Sequence, residues 1–161
     1  ILDAVANDHK ILLFANFLAI LDFLADDLQR EQIDFELMTG STRDRAARVK
    51  RFQEEETCKV FLMTLKTGGL GLNLTAADTV FIYDPWWNIA AENQAIDRSH
   101  RIGQDRTVFS YKLITRGTIE EKIIKLQEQK QALFDNIITR DGSGSKFLDM
   151  EDINFLLGPD E

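Results

Sequence analysis

Five short apolar or β-branched runs alternate along this chain with four longer stretches of helical periodicity. The runs lie at residues 11–15, 35–38, 60–63, 79–83 and 108–114, and the helical stretches at 17–32, 43–55, 89–101 and 119–139. That alternation limits the possible folds severely. Parallel strands need a crossover long enough to hold a helix, so strand and helix at this spacing imply a parallel sheet covered on both faces. The runs at 11–15 and 60–63 are apolar nearly throughout, as strands buried on both sides should be. The expected class is α/β. At 161 residues, with 44% hydrophobic and 29% charged residues, the chain suits one soluble domain with a real core.

Other broad classes are excluded quickly. The single cysteine, Cys58, cannot form an internal disulfide and fits a reducing compartment. The most apolar stretch, 11–28, is interrupted by Asn16, Asp22, Asp26 and Asp27, so no membrane span is expected. A net charge of -8 argues against a free-standing nucleic-acid binder. Any polyanion contact must use a local patch, or this piece must act beside a more basic one. Residues 1–7 read like the end of a helix, and the start looks cut.

Polar and glycine-rich segments follow four of the five runs. Asn16 follows the first, Thr39-Gly40-Ser41-Thr42 the second, Lys66 to Gly71 the third and Asp84 to Asn88 the fourth. In a parallel sheet these are the carboxyl ends of the strands, where open α/β sheets build their sites. The last third is different. Ile119, Ile123, Leu126, Leu133 and Ile137 form an apolar stripe on a helix of about 30 Å, either core packing or a brace against a neighbouring domain. Asp-Gly-Ser-Gly-Ser at 141–145 reads as a flexible break, and 150–157 as a short docking helix contacting through Phe155, Leu156 and Leu157. The expected division is 1–140 for the domain with its long helix, and 141–161 for the break and tail.

The most informative segment is Gln-Ala-Ile-Asp-Arg-Ser-His-Arg-Ile-Gly-Gln at 94–104. On a helix, Gln94, Asp97, Arg98 and Arg101 share one face. Two fixed guanidiniums on one stripe suit a triphosphate, and a solvated face with an Asp97–Arg101 pair is the structural alternative. Lys-Thr-Gly-Gly-Leu-Gly-Leu-Asn at 66–73 either brings backbone amides close to a phosphate or makes a tight strand-to-helix turn. It is not a Walker A loop. In Asp-Pro-Trp-Trp-Asn at 84–88, Pro85 ends a strand and Asn88 suits a helix N-cap. One tryptophan is expected to pack over the sheet edge and the other to stack on a base or wedge into a groove. Arg43, Arg45, Arg48, Lys50 and Arg51 form the one dense basic run, suited to a backbone phosphate or simply to solvent. His100 has no partner in metal-ligand spacing and reads as a hydrogen-bonding residue; His9 carries no signal.

Taken in order, these blocks resemble the C-terminal RecA-like lobe of the Swi/Snf-type helicase-like ATPases of helicase superfamily 2. Lys-Ile-Leu-Leu-Phe-Ala-Asn-Phe from Lys10 is similar to motif IV, and Thr-Gly-Ser-Thr-Arg-Asp-Arg from Thr39, with Val-Lys-Arg-Phe-Gln from Val49, to the next block. The stretch from Thr64 to Asp78 is similar to motif V, Asp-Pro-Trp-Trp-Asn to its extension, and 94–104 to motif VI nearly letter for letter. Tyr111 to Ile114 and Gly117 to Ile123 resemble the part just beyond. Four positions depart from the family pattern: Thr39 for an aspartate, Ala15-Asn16 for serine-glutamine, and Ile89 for a proline. The short spacing from Thr42 to Arg45 looks more like bacterial members.

The resemblance implies a RecA-like sheet with a long C-terminal helix and docking tail, and it implies roles. Arg98 and Arg101 would be arginine fingers reaching ATP held, with Mg²⁺, mainly by an N-terminal lobe. Gln94, Gly69 and Gly71 would line the same cleft. Asn16, Gly40, Arg45, Thr64 and Lys66 would touch DNA phosphates, and Trp87 the opposite strand. The implied partners are duplex DNA and the N-terminal lobe of the same chain, with no membrane and no metal held by this piece. The implied setting is cytoplasmic and nucleoid-associated in a bacterium, nuclear in a eukaryote. No Gly-x-Gly-Lys-Thr and no Asp-Glu-x-x motif is present, so the lobe alone should not hydrolyse ATP. The rival readings are an RNA helicase lobe and a non-catalytic RecA-like interaction module.

Overall fold

The computed structural model describes residues 1–68, 71–86, 88–97, 99, 107–137 and 150–158. The elements run α1 (Leu2–Ala6), β1 (Ile11–Ala15), α2 (Leu18–Arg30), β2 (Phe35–Met38), α3 (Arg45–Glu54), β3 (Val60–Thr64), α4 (Leu65–Gly68), β4 (Thr79–Ile82), α5 (Ile89–Ile96), β5 (Phe109–Lys112), α6 (Ile119–Ile137) and α7 (Met150–Leu157). The five strands form one sheet of order β2-β3-β1-β4-β5, and every pairing is parallel. The α/β expectation holds, with RecA-like architecture.

Strand periodicity divides the core. Leu12 and Phe14 point to one face, with Phe52 of α3 and Ala95 of α5. Ile11, Leu13 and Ala15 point to the other, against Leu21, Ala25 and Leu28 of α2. Right-handed crossovers explain the split. From β1 to β2 the chain crosses the sheet in one direction, and every later crossover runs in the other. Helices travelling in opposite directions must pass over opposite faces. All five residues of β1 are fully buried, as its sequence predicts.

The direction of travel reverses between β1 and β4, which places the switch-point crevice at their carboxyl ends. A clasp closes that seam. The Asn16 backbone N–H donates to the Asp84 carboxylate at 2.7 and 3.0 Å, and Asn16 Nδ2 donates to the Asp84 carbonyl at 2.7 Å. Desolvation raises the Asp84 carboxyl above its ordinary range.

Three elements differ from their sequence-based outlines. Helix α5 ends at Ile96 with Asp97 as its C-cap, so the regular helix stops before the motif does. A four-residue helix, α4, stands where a glycine loop was expected. Its last residue, Gly68, sits so close to the buried Phe14 ring that an added Cβ would meet it at 2.4 Å. In α7, Phe155 is 39% and Leu157 75% exposed, while Leu156 is half-buried, so of the three expected contacts Leu156 is the one that is covered. Polar contacts also hold the helix: Lys130 Nζ on Asp152 at 2.5 Å and Lys122 Nζ on the Gly158 carbonyl at 2.6 Å. Among the stripe residues of α6, Leu126 is buried and Ile119 exposed, while the side chains of Leu133 and Ile137 lie outside the described residues.

Candidate nucleotide and nucleic-acid interface

Because every strand is parallel, the segments after β1, β2, β3 and β4 meet along one rim. Asn16, Gly40, Thr64 and Lys66 all lie there, and each is used differently. Lys66 is exposed and has no partner among the described residues. Thr64 caps α4: its Oγ1 accepts from the Thr67 N–H at 3.2 Å and shares a hydrogen bond with Thr67 Oγ1 at 2.7 Å. Asn16 is turned inward by the clasp, which uses its backbone N–H and one Nδ2 hydrogen.

After β2, Arg45 folds back over its own loop. Its Nε donates to the Thr42 carbonyl at 3.0 Å and its Nη2 to the Gly40 carbonyl at 2.8 Å. The loop is therefore held by a guanidinium whose Nη1 donors meet no acceptor among the described residues. The rest of the basic run is largely neutralised. Arg48 meets the buried Glu36 at 2.8 Å and Asp44 at 3.1 Å. Arg51 meets Glu36 at 2.8 Å, Asp34 at 2.5 Å and Glu55 at 3.0 Å. Hydrogen bonding to Asp34 holds the Arg51 guanidinium well above its usual range. These two arginines clamp α3 to the edge strand β2. The expectation of a phosphate-binding run fails for Arg48 and Arg51, because carboxylates already occupy their donors.

Of the predicted cleft residues, Gly71 has φ +78°, a left-handed conformation that favours glycine. Gln94 lies exposed on α5. Asn88 is the N-cap of that helix, its side chain accepting from the Ala90 N–H at 3.1 Å. Gly69, Trp87, Arg98, His100 and Arg101 lie outside the described residues. Trp86 is 39% exposed, with its backbone N–H donating to Glu92 Oε1 at 2.6 Å.

Glu92 was missed by sequence reasoning. It is fully buried, and its Oε1 also accepts from Gln127 Nε2 at 3.0 Å, while Lys112 Nζ lies 2.7 Å from its Oε2. A signal existed: Glu92 falls on the helix face of Ala95 and Ile96, where a charged residue is out of place.

A parallel five-stranded sheet, with polar loops gathered at its carboxyl rim and a switch point between β1 and β4, defines the class of RecA-like lobes. The profile of the helicase conserved C-terminal domain matches residues 1–103, and the chain belongs to that family, in its Swi/Snf-type branch. It is 39% identical over 155 residues to an uncharacterized ATP-dependent helicase of Mycoplasma genitalium, covering 95% of this chain and 15% of the relative. It is 43% identical over 141 residues to the chromatin-remodeling ATPase INO80 of Aspergillus terreus, covering 86% of this chain and 8% of the relative. The crystal structure of the C-terminal part of the Fun30 ATPase domain superposes with a TM-score of 0.74 at 37% identity, covering 77% of this chain and 40% of that one. The chain thus spans a small part of the curated relatives it matches.

Proposed function

We propose that this chain is the second motor lobe of an ATP-dependent translocase on duplex DNA. In this reading Arg98 and Arg101 are arginine fingers that complete the site of an ATP bound, with Mg²⁺, on the N-terminal lobe. Gln94, Gly69 and Gly71 line the same cleft. Fixed cations placed where charge develops stabilise the transition state, and an arginine finger can contribute roughly 10³–10⁵ in rate. ATP closes the cleft, hydrolysis releases it, and phosphate contacts on the two lobes step along one strand. The contacts of this lobe are Asn16, Gly40, Arg45, Thr64 and Lys66, with Trp87 on the opposite strand.

One observation carries the DNA side of this reading. At the rim, Lys66 and the Nη1 donors of Arg45 meet no acceptor among the described residues, in a chain of net charge -8 whose Arg48 and Arg51 are already paired with carboxylates. The chromatin-remodeling relative favours duplex DNA over RNA as the track. In the complete enzyme, Arg98→Ala and Arg101→Ala should each abolish DNA-stimulated ATP hydrolysis while circular dichroism and the thermal midpoint stay unchanged. Full turnover in both variants would defeat the proposal. Stronger stimulation by RNA than by duplex DNA would move the assignment to an RNA helicase lobe.

A further inference from the structure

Behind α5 lies a polar cluster in which Glu92 and Gln127 are buried and Lys112 reaches in from the exposed edge strand. It joins four parts of the fold. Glu92 comes from α5, Lys112 from β5, Gln127 from α6, and the backbone of Trp86 from the loop after β4. Glu92 Oε1 accepts from the Trp86 N–H and from Gln127 Nε2. Gln127 Nε2 also donates to the Trp86 carbonyl, and Lys112 Nζ donates to Gln127 Oε1 at 2.7 Å while pairing with Glu92 Oε2. Glu92 is 0% and Gln127 2% exposed.

Stability alone does not call for such an arrangement, since a buried ion pair is often no better than apolar packing of the same volume. Geometry does. Apolar contacts let a helix slide or rotate slightly, whereas charge-assisted hydrogen bonds to a buried carboxylate and amide hold one register. Among the described side chains of α6, Leu126 and Gln127 alone are buried, and one of the two is an amide bonded to α5. Glu92 stands two residues before Gln94 and five before Asp97, the cap that precedes Arg98 in sequence.

We propose that Lys112 and Gln127 are positioning residues that act through Glu92 to set the register of α5, making the long helix α6 part of the catalytic apparatus. The proposal rests on the arginine-finger reading above. Its test uses the complete enzyme and a double-mutant cycle between Gln127→Met, which keeps volume and helix propensity, and Arg98→Lys. Gln127→Met should lower kcat for duplex-stimulated ATP hydrolysis about tenfold, with KM for ATP unchanged at temperatures well below unfolding. In the Arg98→Lys background the same substitution should add little. An unchanged kcat in Gln127→Met, or an equal loss in both backgrounds, overturns the proposal. Unchanged turnover in Arg98→Lys would instead overturn the arginine-finger reading. Should Gln127→Met fail to fold, the pair Glu92→Gln with Lys112→Met, which removes both charges together, is judged by the same criteria.

Discussion

At the scale of single residues, burial and charge partners decide which groups can act outside the fold. Cys58 is fully buried, and desolvation raises its thiol from about 9.0 to about 11. A group whose pKa is higher in the folded state stabilises the fold fully below its unfolded value, and that contribution is lost as pH rises through the folded value. Stability should therefore decline between pH 9 and 11, and Cys58→Ala should flatten that decline in urea titrations across the range. Lys66 and Arg48 present the opposite contrast. Lys66→Ala should weaken duplex binding by the complete enzyme and reduce its log–log salt slope by about 0.9, one phosphate contact. Arg48→Ala should leave that slope alone and lower the thermal midpoint, because it removes a partner of the buried Glu36. A reduced slope in Arg48→Ala would show that its ion pairs open on DNA.

At the scale of elements, what was legible in the sequence followed from periodicity. The apolar runs at 11–15 and 60–63 became the central strands, because a strand buried on both faces has no polar side to hide it. The less regular 108–114 run shortened to β5, whose residues are exposed at the edge of the sheet. Residues 89–101 read as one helix; α5 runs to Ile96, and Arg98 and Arg101 lie outside the described residues. Long-range polar pairing left little trace. Nothing in the local sequence ties Asn16 to Asp84, 68 positions away, or Glu92 to Gln127, 35 positions away. Basic residues at 43–51 likewise suggested an anion site, until Glu36 proved to be the partner of Arg48 and Arg51, with Asp34 also on Arg51. The rim could be inferred from strand order, but which rim side chains remain open could not.

At the scale of the whole molecule, the proposed function makes this lobe one side of a composite chemistry. The chain has neither the phosphate-binding lysine loop nor the acidic magnesium ligand motif of a hydrolysing lobe. Expressed alone, it should show no ATP turnover with or without duplex DNA, as a phosphate-release assay would record. Turnover by the isolated chain would mean that its nucleotide chemistry is self-contained. The proposed function also accounts for the acidic balance here, since a lobe sharing a polyanionic track with a partner would not need to be basic throughout.

The clasp at the switch point has a mechanical consequence. Asp84 grips Asn16 by three hydrogen bonds where the two directions of sheet growth diverge. In the motor proposed above, these bonds would tie the loop after β1 to the loop after β4, so that tension on one would be shared by the other.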